Sequence, residues 1–522
     1  MTAIAESPNW VISKPSIKGK QHMVCSQHHL ATKAGIEVLR AGGNAMDAAI
    51  AAGLMLGVVE PWMSGFGGGG YLLTYQATEE RVYQIDFGMQ APLAAEPGLF
   101  KLADSGTNSS DAFNWPAVQG DQNIHGSLAI AVPCYLKGIE LAHRQFASMG
   151  LGELACQASE QANKGLPIDW YSTSKINQAA RGLKQYPSAA ALYLDDGLPP
   201  TPNLDGVPQH HPLPGLHDTL EAFAQEGAKP LFIGDQAQLL IADLADQGAI
   251  LTMKDLESVT ASLTEPVIGS YRGHQVFTAD VLTAGPSLLD ALSVLESQLT
   301  PEVAPVGAQH VLAIASALSE SYAHRLTHMG AAETAGATTH ICVADGEGNV
   351  VSLTQTIMSA FGSRIASPQL GFVLNNGMMW FDPRPGHPNS VAPGRKPLCN
   401  MCPTLLRLKD GSWAALGACG GRKIFPSVFQ LISYMIDAGM SVHDAAHAPR
   451  IDISGSEMVT IMSTMPKDII NELTEAYPQS RVRANDVSPA FFALPQLLRR
   501  LPTGELEGAC FIPSPHALVG AD

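Results

Sequence analysis

The chain predicts a soluble, globular, mixed α/β protein, and three observations carry that expectation. Apolar residues make up 46% of 522 positions against 15% charged, enough for a large core. Forty-nine Gly and 36 Pro punctuate the chain throughout, as a fold with many turns requires. Strand-like runs alternate with Ala- and Leu-dense helical patterns at 31–41 and 45–57, and both helices read as core elements. The length alone allows about two to four domains.

The formal charge of −17 argues against a grip on nucleic acid or an anionic membrane, because phosphate binding needs a basic face. No run approaches the ~18 apolar residues of a membrane span. Residues 1–21 lack an apolar core followed by a small-residue cleavage site, so a cytoplasmic location is expected.

Eight cysteines in so long a chain make no dense disulfide framework, and Cys25, Cys134, Cys156, Cys342 and Cys510 read as buried thiols. Cys399 and Cys402 have C-x-x-C spacing, but no second ligand pair follows. His210, His211 and His217, with Asp205 or Asp218, fit no standard metal motif and read as solvated loop residues. No metal and no cofactor are expected.

Four consecutive glycines, Gly67 to Gly70, open the apparent strand Tyr71-Leu72-Leu73. No Gly-Lys-Ser/Thr follows, so the run reads as close backbone packing and not as a phosphate loop. Residues 103–126 and 194–214 are polar, turn-rich surface loops. Further on come a short helix and loop from 252, a strand at 275–278, and helices at 287–299 and 302–329. Residues 330–337 are small and uncharged apart from Glu333, as in an exposed linker.

After that linker the pattern Thr-Thr-His-Ile-Cys-Val-Ala, the turn 345–349 and Val-Val-Ser-Leu-Thr-Gln-Thr signal a β-hairpin. Thr338 lies nine residues before Glu347 and Thr356 nine after, so a simple register sets the two hydroxyls opposite each other. Threonine in a strand is ordinarily only a strand former. Cleavage between Ala337 and Thr338 would change that. The new α-amine, with a reference pKa of about 7.7–8.0, would sit beside the threonine hydroxyl and could act as its base. Gly420-Gly421, between a strand at 413–416 and a helix beginning near Pro426, could aim two N–H groups at a developing oxyanion.

These segments together resemble the γ-glutamyltransferase family over nearly the whole chain. The similar stretches include Gly42-Gly43-Asn44-Ala45-Met46-Asp47-Ala48-Ala49, Val59-Glu60-Pro61, Gly67 to Gly70, Tyr271-Arg272-Gly273, Thr338-Thr339-His340, Asn375-Asn376, Arg395-Lys396-Pro397-Leu398 and Gly420-Gly421. The resemblance implies an α+β fold, a four-layer αββα sandwich of the N-terminal-nucleophile hydrolase type. It also implies self-cleavage into a large subunit, 1–337, and a small catalytic one, 338–522, which together form one integrated unit. Thr338 becomes the nucleophile, Thr356 the hydroxyl that orients it, and Gly420 and Gly421 the oxyanion donors.

The positions that would recognise glutamate depart from the family. An arginine after Asp-Phe clamps the α-carboxylate in members that process glutathione, but Asp86-Phe87 is followed by Gly88. The serine pair after Arg-Lys-Pro-Leu is replaced by Cys399-Asn400, and Met358 and Trp380 stand where the family holds the α-ammonium with Asn and Asp. Losing one partner of a buried charged contact costs ~2–5 kcal/mol, so γ-glutamyl compounds are expected to bind poorly. Trp380, Met358 and Met379 are expected to make an apolar pocket wall. Arg364, aligned with a family glycine, is either a surface residue or a replacement clamp for an anionic acyl group.

The expected activity is that of an autoprocessing amidohydrolase or acyltransferase on a small amide, such as an oxamate-like amide or an acylated β-lactam. A genuine γ-glutamyltransferase and a non-catalytic binding protein that keeps the fold are the alternatives. Large and small subunits from one precursor are the expected partners, with a dimer of these heterodimers left open.

Overall fold

A computed structural model describes residues 14–104, 115–280, 282–300, 305–328, 337–454, 458–488 and 490–522. Two seven-stranded antiparallel sheets face each other at its centre. The first runs in the order 518–521, 23–26, 337–344, 350–358, 69–76, 81–87 and 262–264. The second runs 17–19, 506–510, 494–500, 413–419, 404–407, 274–278 and 267–271. Apolar side chains from both inner faces, among them Cys25, Leu73, Leu405 and Leu498, fill the space between them.

Helices cover both outer faces. His29–Arg40 and Ala45–Val59 lie on the first sheet, while Gly285–Gln298 and Ile424–Ile436 lie on the second, and Ala308–His328 packs against Gly285–Gln298. The architecture is the α+β, four-layer αββα sandwich, and it follows from two sheets that each need an apolar cover. Each sheet mixes strands from either side of residue 338, so 1–337 and 338–522 cannot part without tearing both.

Local sequence explains the helix that matters most to the site. Asn44 accepts hydrogen bonds from the N–H groups of Met46 and Asp47, and Asp47 accepts one from Asn44 N, a reciprocal cap that starts Ala45–Val59. All fifteen of its residues are buried, because Ala and Gly let it lie flat on the sheet beneath. Gly53 is one such contact point: a Cβ there would stand 2.9 Å from Gln355 Oε1.

Several expectations need adjustment. The strand ahead of Gly420 runs on from Trp413 through Cys419, because Gly417 leaves room for the His340 ring across the sheets; a Cβ there would meet that ring at 2.2 Å. The loop at 194–214 contains a short strand, Gln209–His211, paired with Leu166–Ile168. His211 Nε2 in that strand meets the Leu192 carbonyl at 3.1 Å, and His217, which stands on helix Leu216–Glu226 and not in a loop, meets Ser159 Oγ through Nδ1 at 2.9 Å. All eight cysteines are free, and Cys156 is exposed because it sits on the outer side of helix Leu151–Lys164. Ala337 is buried at the start of a strand and is no exposed linker; residues 330–336 and 105–114 lie outside the described residues. Among the described residues no helix is long and apolar enough to cross a membrane, and no group of three or more His, Cys, Asp or Glu could hold a metal.

Candidate active site

The hairpin is fastened at its turn. Asp345 accepts from the N–H and the side-chain amide of Asn349 and from the N–H of Ala45, which locks the turn to the start of the buried helix. From that turn the register pairs Ala344 with Val350 through to Thr339 with Gln355. The ladder then shifts by one residue at Thr338, so that Ala337 pairs with Met358. Such a bulge re-aims a side chain at a strand end.

There the Thr338 hydroxyl donates to Thr356 Oγ1 at 3.2 Å. Thr356 Oγ1 in turn donates to the Ala337 carbonyl and accepts from Met358 N at 2.9 Å. Its single proton is thus directed at the carbonyl of the peptide bond before Thr338, and the lone pairs of Thr338 Oγ1 stay available. Beneath this pair, Ser64 Oγ accepts from Thr339 Oγ1 and Gln355 Nε2, each at 3.0 Å. His340 donates or accepts at Thr354 Oγ1, 2.8 Å away, and burial pulls its pKa down to about 3, so it stays neutral.

The glycine run is packing, as its sequence context suggests. Gly69 and Gly70 pair with Thr356 and Gln355, and a Cβ on Gly68 would lie 2.1 Å from the Thr356 carbonyl oxygen. Gly420 and Gly421 follow the strand end in succession with φ of +138° and +59°, a left-handed path that side chains disfavour. A Cβ on Gly420 would also press on Ala493 at 2.9 Å.

Of the sequence-derived site residues, Gly420 and Arg364 line a pocket of about 390 Å³ together with Ala337, Trp62, Lys175 and Lys423, whereas Thr338, Thr356 and Gly421 are not among its described lining residues. Arg364 holds φ of +63°, the region its glycine alignment would favour, at a cost of ~1–3 kcal/mol. Met358, Met379, Trp380 and Cys399 pack into a buried cluster with Tyr71 and Trp115, and none of them is among the residues that line that pocket. Asn400 is buried as well. Gly88 lies beside Tyr71, whose hydroxyl a Cβ would meet at 2.8 Å, and Asp86 is bound by Gly88 N and Lys396 Nζ.

Sequence reasoning missed Lys175, which reaches the pocket from a remote helix, and Trp62 and Lys423, which lie just past the Val59-Glu60-Pro61 and Gly420-Gly421 stretches. Glu60 stood in a family-like stretch without a role. It is fully buried behind the pocket, and burial, against a smaller opposing pull from Lys175, pushes its pKa up to about 8. The folded chain therefore keeps this proton while the unfolded chain loses it near 4.5, so stability falls as pH rises between those values. Glu60→Gln is expected to abolish a slope of at most about 1.4 kcal/mol per pH unit, read from urea midpoints at pH 5 to 8; equal slopes in both proteins would refute it.

The Gamma-glutamyltranspeptidase family profile matches residues 31–334 and 327–510. The chain is 30% identical to the glutathione hydrolase proenzyme of Bacillus subtilis (strain 168), covering 87% of this chain and 84% of that one. It is 31% identical to the acylase ACY 1 proenzyme of Pseudomonas sp. (strain V22), covering 91% and 88%. Cephalosporin acylase from Bacillus halodurans shares the fold with a TM-score of 0.82 and 22% identity, over 100% of this chain and 99% of that one. Together with the αββα sandwich, these matches place the chain in the γ-glutamyltranspeptidase family, among its N-terminal-nucleophile amidohydrolases and acyltransferases.

Proposed function

We propose that Thr338 is the nucleophile of a self-cleaving amidohydrolase that works through an acyl-enzyme and has lost selectivity for γ-glutamyl groups. The observation that carries this is the hydroxyl chain from Thr338 through Thr356 to the Ala337 carbonyl, beside a pocket that ends at Gly420. In self-cleavage Thr338 Oγ1 attacks the Ala337 carbonyl carbon, the C–N bond breaks, and the hydroxyl proton passes to the departing nitrogen. Water then hydrolyses the ester, leaving Ala337 as a carboxylate and Thr338 with a free α-amine.

In turnover that amine takes the Oγ1 proton as the oxygen attacks a substrate amide. N–H groups at the Gly420-Gly421 turn stabilise the oxyanion, a contribution worth ~10²–10³ in kcat per donor. The proton moves to the leaving amine, and water or a second amine resolves the ester. Interleaved sheets support the view that the two pieces, 1–337 and 338–522, stay together after the cut.

The buried packing of Met358, Trp380 and Cys399, and the Tyr71 hydroxyl beside Gly88, support loss of the glutamate anchors. Oxamate-like amides and acylated β-lactams are the candidate substrates. Intact-mass measurement of active protein should show Thr338 as a new N-terminus, and an amide screen should place γ-glutamyl-p-nitroanilide at least about 100-fold below the best substrate. An uncut chain that turns over amides would overturn the mechanism. Arg364→Ala is expected to raise KM for an acidic substrate by about tenfold at unchanged kcat, as loss of uniform binding does; an unchanged KM dismisses the clamp.

A further inference from the structure

Asp345 fastens the hairpin at its turn, but Thr338 and Thr356 stand at its open end, where the ladder slips by one residue. A ladder that shifts there leaves the two hydroxyls free to slide past each other unless something outside the hairpin holds its last regular rung, Thr339 with Gln355. The segment 62–64, which follows helix Ala45–Val59, is placed to do this.

Each of its residues bonds to the open end of the hairpin or to the turn just beyond it. The Trp62 carbonyl accepts from Phe361 N at 3.4 Å, and the Met63 carbonyl accepts from Ile357 N, inside the shift, at 3.3 Å. Ser64 Oγ accepts from Thr339 Oγ1 on one strand and from Gln355 Nε2 on the other, each at 3.0 Å. The segment is itself anchored to the helix end, because the Glu60 carbonyl accepts from Met63 N at 2.9 Å and from Ser64 N at 3.4 Å. Gln355 Nε2 also donates to the Gly53 carbonyl at 3.0 Å, in the slot that Gly53 leaves by lacking a Cβ. Ser64, Thr339 and Gln355 are each 0% exposed. Apolar residues of similar size would fill the same space without orienting it, whereas a buried polar network is satisfied in few arrangements.

We infer that Ser64 is a positioning residue for the nucleophile: its hydroxyl bridges the neighbour of Thr338 on one strand to the neighbour of Thr356 on the other, and so fixes the 3.2 Å approach of those two hydroxyls. The inference rests on the threonine-nucleophile reading. Ser64 acts through Thr339 and Gln355 and takes no part in bond making. Because its bonds leave the Ala337–Thr338 peptide out, the cut does not remove them, and the same bridge then holds Thr338 at the end of a chain.

The test follows self-cleavage of freshly synthesised chains on denaturing gels for wild type, Ser64→Ala, Thr339→Val, Thr339→Ser and the Ser64→Ala/Thr339→Val pair. Ser64→Ala and Thr339→Val should each slow the cut at least about 30-fold, since a misplacement of about 1 Å costs about 10² in rate. Thr339→Ser keeps the donor and should cut within about threefold of wild type, a rescue that mere filling of space would not give. The pair should match the slower single variant within about twofold, because both changes remove one contact. A wild-type rate in Ser64→Ala, no rescue by Thr339→Ser, or losses that multiply in the pair overturn the inference while leaving the nucleophile reading intact. Hydrogen exchange in a Thr338→Ala background needs no chemistry, and there Ser64→Ala should speed exchange of amides 338–341 at least about tenfold. Faster exchange, in a protein whose wild type never cuts before Thr338, upholds the bridge and sinks the nucleophile reading; unchanged exchange overturns the bridge by itself.

Discussion

Thr338→Ala is expected to give a single uncut chain on a denaturing gel where the wild type is expected to give two, with amide turnover at least about 10⁴-fold lower. The effect is large because one hydroxyl serves both reactions. Without it nothing attacks the Ala337 carbonyl, so no α-amine is freed, and the base is lost together with the nucleophile. The hydrogen bond from Thr356 to the Ala337 carbonyl survives the substitution, since it does not depend on the Thr338 side chain. The fold is therefore expected to be retained, with a far-UV circular dichroism spectrum like that of the wild type and a cooperative melting transition. Two bands from Thr338→Ala would move the cut to another residue. Thr338→Ser, which keeps a hydroxyl, separates loss of chemistry from loss of fold by restoring cleavage.

Gly68→Ala is expected to reduce both cleavage and turnover at least about 100-fold without touching a reacting atom. The added methyl would stand 2.1 Å from the Thr356 carbonyl oxygen and 3.0 Å from its carbon, both of them backbone, so the strand has to move. Thr356 carries the hydroxyl that links Thr338 to the Ala337 carbonyl, and a misplacement of about 1 Å in such a group costs about 10² in rate. Overpacking adds ~1–3 kcal/mol of destabilisation. Gly152→Ala is the control, because its added methyl would come no nearer than 3.6 Å to a neighbouring element and no left-handed φ is required there. Normal cleavage in Gly68→Ala would show that the hydroxyl chain tolerates displacement.

Much of the site was legible because it is local. The five-residue turn 345–349 and the two flanking β-branched runs set the register as far as Thr339 with Gln355, and the next residues along, Thr338 and Thr356, meet through their hydroxyls at 3.2 Å. The glycine run lies beside a strand pattern with no phosphate-binding sequel, which already favours close packing. The bulge at Thr338 could not be read, because it arises from how the strand end meets Met358 across the ladder. Nor could the exposure of Ala337 be judged from composition, since small uncharged residues suit a linker and a buried strand equally well.

The substrate wall shows the limit most clearly. Met358, Trp380, Cys399 and Gly88 stand at positions that differ from the family, and sequence alone expected them to line a pocket. Met358, Trp380 and Cys399 are buried together, and the pocket at Ala337 and Gly420 is lined by other residues.

By itself the sequence determined the hairpin, the opposed threonines, the glycine approach and the absence of the glutamate-binding arginine, because each depends on residues close along the chain. Tertiary structure alone decided that Arg364, Lys175 and Lys423 share a pocket with Ala337, and that Glu60 lies behind it. Those residues come from separate helices and turns, and their juxtaposition is set by how the layers pack, a relation no local periodicity encodes.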